Sequence, residues 1–271
     1  MKNIMGFIFD WAGTTIDYGS LTPIYAMKRA FKQFDIELST ETIRKFMGLH
    51  KLVHIQSILK EETIKNQWES TTNLSLTSLS NEIFEKLLVA TKEEAIERTK
   101  PIDGVIDFMN KYRHYGIKFG STTGYTREMM NDIIPLATER GILFDSVVTP
   151  DEVPFGRPYP WMIYKNAINI ETYPLWKMIK IGDTIADIQE GINAGMWIIA
   201  LTKCGNEVGY DENEINTIDD NIIAKKIEDA TIKFKEEGAH YVADSLSDTY
   251  DIINEIEEKI GYGIMPLESN K

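Results

Sequence analysis

Two carboxylates set the chemistry open to this sequence: Asp10, which closes the apolar run 4–9, and Asp183, which follows the strand-like segment 178–181 through Gly182. Each stands where a strand-like segment stops and a loop begins. Two acids at neighbouring strand ends, with loop carbonyls and water, suit octahedral Mg²⁺. The cation would offset their repulsion, and one carboxylate could then attack phosphorus. Taken singly, such an acid serves as readily to cap the helix behind it. A different chemistry is carried by Lys51. If 51–58 is helical, Lys51, His54, Ile55 and Ile58 share one face. An amine beside a histidine on a largely apolar face can lose part of its hydration, which lowers its pKa from about 10.4. The competing reading is a surface lysine whose stem covers apolar area while its head stays wet.

The elements that would position these residues follow from pattern. The run 4–9 is apolar throughout, as parallel strands covered on both faces tend to be. From Thr22 and Pro23, helical spacing of Ile24, Met27, Phe31 and Phe34 begins, and further helices are expected near Ser39, over 51–58 and from Ile83 towards Arg98. The polar stretch 63–80 resists assignment. After Pro101 the pattern changes to strands at 117–122, 146–149, 178–181, 197–201 and 240–242. Helices are expected over 105–115, 127–139, 161–169, 184–194 and 245–260. The expected architecture is α/β: a Rossmann-like parallel-sheet core (1–19 and 101–271) interrupted after its first strand by an all-helical cap (20–100). Residues after Gly261 read as a loose tail. In such sheets ligands bind beyond the carboxyl ends of the strands, where Asp10, Thr123 and Asp183 all fall.

Composition narrows the partners. The net charge of −13 argues against a nucleic-acid or anionic membrane surface, so an anionic substrate would need a metal ion and a few placed cations. One cysteine, Cys204, excludes an intrachain disulfide. The first apolar run is too short for a signal-peptide core, and no apolar stretch approaches membrane-spanning length. A cytoplasmic protein is expected.

Four segments, taken in order, resemble the signature motifs of the haloacid dehalogenase superfamily: Asp10-x-Ala12-Gly13-Thr14, Ser121-Thr122-Thr123-Gly124, Gly156-Arg157-Pro158, and Gly182-Asp183-Thr184-x-x-Asp187. The resemblance implies a haloacid dehalogenase-like fold and assigns roles. Asp10 would be the nucleophile. Mg²⁺ would be held by Asp10, the Ala12 carbonyl and Asp183. Thr123 and the amides after it, beginning with Gly124, would hold phosphoryl oxygens, and Arg157 would neutralise the transferring group. Asp187 has two readings, a contact near the metal or a capping partner for Thr184.

Phosphatases of that superfamily generally carry a second acid two places after the nucleophile, where this chain has Ala12. Without it, no resident group protonates an ester's leaving oxygen. The departure is tolerable when the leaving group is carbon and a lysine-borne iminium takes up the electrons. Longer segments, 9–19, Met47-Gly48-Leu49-His50-Lys51, 120–130 and 156–162, resemble the phosphonoacetaldehyde hydrolase family in particular. That resemblance implies a Schiff base on Lys51 and a cap that closes over the core site. It also implies a route for imine protons lined by Met47, His54 and Tyr125, and close approach of backbone at Gly48. For Met47 and Tyr125 simple core packing is the competing reading. Ser20 replaces a cysteine found in a relative and should tune rather than abolish binding. A homodimer and a small phosphonate substrate, in 2-aminoethylphosphonate degradation, are further implications. A phosphate-monoester phosphatase or phosphomutase on the same scaffold is the alternative, and a catalytically dead metal-binding module is a third.

Overall fold

The computed structural model describes residues 1–46 and 51–266. The chain forms two compact units, one of Met1–Leu21 with Thr99–Lys271 and the other of Thr22–Arg98. In the first unit, strands β1 (Gly6–Phe9), β2 (Lys118–Thr122), β3 (Ser146–Val148), β4 (Met178–Gly182), β5 (Trp197–Leu201) and β6 (Tyr241–Ala243) form one parallel sheet. Their order is β3-β2-β1-β4-β5-β6. Every residue of β1, β4 and β5 is buried, the mark of parallel strands covered on both faces. The order runs away from β1 in both directions, which opens a crevice at the strands' carboxyl ends. Phe9 is in register with Ser121 of β2 and Ile181 of β4, so the residues just beyond these strands emerge at one level.

The second unit is all-helical: α1 (Thr22–Lys32), α2 (Thr40–Arg44), α3 (Lys51–Leu59), α4 (Glu62–Thr71) and α5 (Leu76–Glu97). Its core forms where α1 packs on α5, with Ile24, Met27 and Phe31 meeting a face that buries Leu79, Ile83 and Leu87. The stretch 63–80, unassigned from sequence, holds most of α4 and the start of α5. Its hydroxyl residues act as caps and not as loop: Ser75 Oγ accepts from the Ser78 amide at 3.1 Å. Trp68, buried, donates from Nε1 to the Leu59 carbonyl at 3.0 Å.

Helices α6 (Val105–Arg113), α7 (Arg127–Glu139), α8 (Trp161–Asn169), α9 (Ile185–Ala194), α10 (Asp220–Glu236) and α11 (Tyr250–Gly261) cover the sheet. Alternation along β1 divides the core. Phe7 and Phe9 face α6, their rings 5.1 and 5.5 Å from that of Phe108, while Ile8 packs with Ile163 and Met178. Helix α10 falls where no element is expected from sequence, although Ile223, Ala230 and Phe234 are buried at helical spacing. The segment after α11 is tied down as far as Pro266, whose carbonyl accepts from His240 Nε2 at 3.0 Å. Among the described residues, no helix is long and apolar enough to cross a membrane.

Candidate functional site

Asp10 follows β1 directly, and its amide extends the ladder by donating to the Ile181 carbonyl at 3.0 Å. The turn behind it is tight. Gly13 has φ +79° and donates to the Ile16 carbonyl at 2.8 Å, while Trp11 Nε1 donates to Ser121 Oγ at 2.9 Å and ties the turn to β2. A Cβ at Gly13 would lie 2.3 Å from Asp183 Oδ2, so glycine is what lets this turn approach the second carboxylate. Asp183 is buried beyond β4. Its Oδ1 accepts from Thr14 Oγ1 at 3.0 Å and its Oδ2 from the Asn206 amide at 2.9 Å. A second glycine, Gly205, also makes room: a Cβ there would stand 2.5 Å from Asp183 Cβ.

Asp187 serves two ends. Its Oδ2 accepts from the Thr184 hydroxyl at 2.5 Å and amide at 3.3 Å, closing the capping box at the start of α9. Its Oδ1 pairs with Lys180 Nζ at 2.8 Å and Arg157 Nη1 at 3.0 Å. Arg157 Nη2 also reaches Asp10 Oδ1 at 2.6 Å and Thr122 Oγ1 at 2.8 Å, and its Nε lies 3.2 Å from Glu190 Oε2. Lys180, Glu190 and Thr122 join the site without having been expected there from sequence. A lysine in the middle of an otherwise apolar, doubly covered strand was the available signal, because such a charge must have a counter-charge.

Oxygens of Asp10, Asp183 and Asp187 lie within 4.8 Å of one another. Burial pushes the Asp10 carboxyl up against the pull of Arg157. Burial, then the charges of Asp10 and Asp187, push Asp183 well above the usual carboxylate range. Burial also works against ionisation of Asp187, but Arg157 and Lys180 outweigh it and hold this carboxyl low. Four buried carboxylates, counting Glu190, face two cations, an excess of two negative charges. A divalent cation fits the site on both counts: the donors are hard oxygens, and its charge matches the excess.

The remaining sequence-selected residues divide between the units. Thr123 is buried after β2 and accepts from the Tyr125 amide at 3.1 Å, which leaves its own proton to donate. Gly124 is exposed and Tyr125 half-buried on the same loop. Ala12 is half-buried between Asp10 and Gly13, and Ser20 is half-buried in a left-handed conformation, φ 51°. Lys51 and His54 belong to the helical insert. Lys51 opens α3 with its side chain reaching solvent, yet the surrounding protein desolvates the ammonium enough to lower its pKa. His54 is buried on the same helix. Its Nε2 donates to the Ile43 carbonyl at 2.9 Å, leaving Nδ1 as the acceptor, and burial favours the neutral ring. Met47 and Gly48 lie outside the described residues.

Residues 7–201 match the family model of haloacid dehalogenase-like hydrolases. The phosphonoacetaldehyde hydrolase of Bacillus cereus strain G9842 is 39% identical over 257 residues, covering 94% of this chain and 97% of the relative. A phosphonoacetaldehyde hydrolase-like protein of Syntrophobacter fumaroxidans is 38% identical over 97% of this chain and 95% of its own length. The bifunctional phosphonoacetaldehyde hydrolase/aminoethylphosphonate transaminase of Clostridioides difficile is 42% identical over 263 residues. The match spans 95% of this chain but only 41% of that protein. Among solved structures, a phosphonoacetaldehyde hydrolase-like protein from Oleispira antarctica superposes with a TM-score of 0.83 at 33% identity, covering 97% of this chain and 96% of that one.

Proposed function

Because the chain belongs to the phosphonoacetaldehyde hydrolase family of haloacid dehalogenase-like hydrolases, we propose that it cleaves the carbon–phosphorus bond of phosphonoacetaldehyde to give acetaldehyde and phosphate. In this reading the Lys51 amine condenses with the aldehyde, losing water to form a protonated imine. An Asp10 carboxylate oxygen attacks phosphorus as the carbon–phosphorus bond breaks, and the released electron pair moves to the iminium nitrogen to give an enamine. The enamine takes a proton on the carbon that left phosphorus. Water then hydrolyses the iminium, freeing acetaldehyde and the Lys51 amine. A second water hydrolyses the aspartyl phosphate, releasing phosphate and restoring Asp10.

Arg157, fixed on Asp10, would neutralise charge on the transferring group, and the Thr123 hydroxyl with the amides from Gly124 onward would bind its oxygens. Tyr125 and His54, with Met47, would line the proton route, and Ser20 and Gly48 would contact substrate. We take the divalent cation to be Mg²⁺, held by Asp10, the Ala12 carbonyl and Asp183, where it would supply positive charge against the phosphoryl oxygens. Asp187, held by Thr184 and two cations, would order the loop.

The observation that carries the assignment is Ala12. A methyl group stands where an ester phosphatase of this superfamily needs its proton donor, so the leaving group must be one that needs none at that position. The lowered pKa of Lys51 supports an imine as the electron acceptor. The name of the Clostridioides difficile relative joins the hydrolase to an aminoethylphosphonate transaminase, which supports a place in 2-aminoethylphosphonate degradation. Phosphate release from phosphonoacetaldehyde and from an aryl phosphate, compared for wild type and Lys51→Ala, tests the reading. Loss confined to phosphonoacetaldehyde is expected; equal retention on both substrates would overturn it.

A further inference from the structure

The phosphoryl-transfer reading of Asp10 and Arg157 leaves two fully buried charges without a role: Lys180 at the centre of β4 and Glu190 on α9, both 0% exposed. A lysine and a glutamate so placed are costly unless their partners are complete. Their partners are the same atoms that hold Arg157. Asp187 Oδ1 lies 2.8 Å from Lys180 Nζ and 3.0 Å from Arg157 Nη1, and Glu190 Oε2 lies 3.2 Å from Lys180 Nζ and 3.2 Å from Arg157 Nε. Two cations and two anions therefore close a ring of alternating charge. Thr122 Oγ1 ties the ring together, accepting from Lys180 at 2.8 Å and from Arg157 at 2.8 Å while donating to Glu190 at 2.9 Å.

The fold makes specific room for this arrangement. Lys180 is in register with Ile8 of β1 and Ile198 of β5, and its ammonium reaches Thr122 at the end of β2, beyond the intervening β1. Helix α9 crosses the lysine stem at Gly191, where a Cβ would stand 3.1 Å from Lys180 Cβ and 3.2 Å from its Cγ.

We propose that Lys180 and Glu190 act as a positioning pair, which holds the Arg157 guanidinium with one nitrogen committed to Asp10 and so presets the charge that meets the phosphoryl group. Without Lys180, Asp187 and Glu190 lose a shared counter-charge, and Arg157 is drawn towards them and away from Asp10. Without Glu190, the two cations lose the anion between them and Nε loses its anchor. Removing both members leaves the net charge of the ring unchanged, so part of each loss is recovered. The effect falls on the transition state, because Arg157 acts on charge moving at phosphorus, and leaves aldehyde capture by Lys51 intact.

The test uses wild type, Lys180→Met, Glu190→Gln and the double variant. Each is assayed for kcat and KM on phosphonoacetaldehyde with Mg²⁺, and titrated calorimetrically with orthovanadate in the same buffer. The binding stoichiometry reports the folded fraction, so a purely structural role would lower stoichiometry and not affinity. Each single variant is expected to lose about 30-fold or more in kcat and in vanadate affinity, with KM within about threefold and the double variant no worse than the poorer single. Folded Lys180→Met with both quantities within about threefold of wild type, or losses that multiply in the double variant, would overturn the pair. If Lys180→Met does not fold, Glu190→Gln decides by the same two readings. A wild type that binds vanadate but releases no phosphate from phosphonoacetaldehyde would sink the substrate assignment alone, and vanadate affinity would still judge the pair.

Discussion

Arg157 Nη2 stands 2.6 Å from Asp10 Oδ1, although the helical insert, β2 and β3 lie between the two residues in sequence. The contact engages one oxygen of Asp10. All three guanidinium nitrogens are committed, to Asp10 and Thr122, to Asp187, and to Glu190, so the charge is fixed in orientation as well as place. Burial alone would weaken the charged form of Arg157, but its three carboxylate neighbours raise its pKa beyond the ordinary value.

Replacing Arg157 by lysine keeps the charge but loses the planar fork that serves four partners. Arg157→Lys is expected to lower kcat by about 100-fold or more with a smaller change in KM. Steady-state phosphate release checks this; activity within about threefold of wild type would show that a point charge suffices.

At Gly13, a methyl group would collide with Asp183 Oδ2 and meet a left-handed backbone. Gly13→Ala is expected to destabilise the fold by roughly 1–3 kcal/mol and to weaken Mg²⁺ binding further. Thermal unfolding with and without Mg²⁺ separates the two effects.

Removal of divalent cation should cost both activity and stability, since four buried carboxylates then share only two cations. Chelation should abolish phosphate release, and Mg²⁺ should raise the unfolding free energy by about 2.7 kcal/mol at a hundred times its Kd. An unfolding temperature indifferent to Mg²⁺ would contradict the cation site.

Desolvation lowers the Lys51 pKa, so the neutral amine that attacks an aldehyde becomes available below the ordinary lysine value of about 10.4. The sign is fixed: kcat/KM should rise with pH through the lowered pKa and level off above it, because protonated Lys51 cannot condense. For stability, a cation with a lowered folded pKa carries its full penalty below that value, and the penalty is relieved as pH rises from the lowered value to the ordinary one. A pH–rate profile whose ascending limb lies at or above the ordinary lysine value would count against the amine.

The parallel sheet, the helical insert and the convergence of Asp10, Thr123 and Asp183 were legible because they depend on local pattern: apolar runs, helical spacing and strand ends. The capping half of Asp187's dual reading also follows from Thr184 three residues before it. Lys180 shows in sequence only as a charge in an otherwise apolar strand that needs a counter-charge, and nothing in Met178–Gly182 says where its partners stand. Its partners lie on β2 and α9, and only tertiary structure brings them together. Gly205 was hidden for the same reason, its importance being a clearance from Asp183 far away in sequence. Helix α10 and the hydroxyl-capped stretch 63–80 were missed for a different cause: polar residues that cap and solvate helices resemble loop composition when read alone.

The most direct measurement is borohydride reduction of the enzyme mixed with phosphonoacetaldehyde, followed by peptide mass mapping. A reduced adduct on the peptide containing Lys51, absent from Lys51→Ala, is the expected result. Normal phosphate release with no adduct on Lys51 would contradict the imine, and with it the route by which this chain is proposed to break a carbon–phosphorus bond.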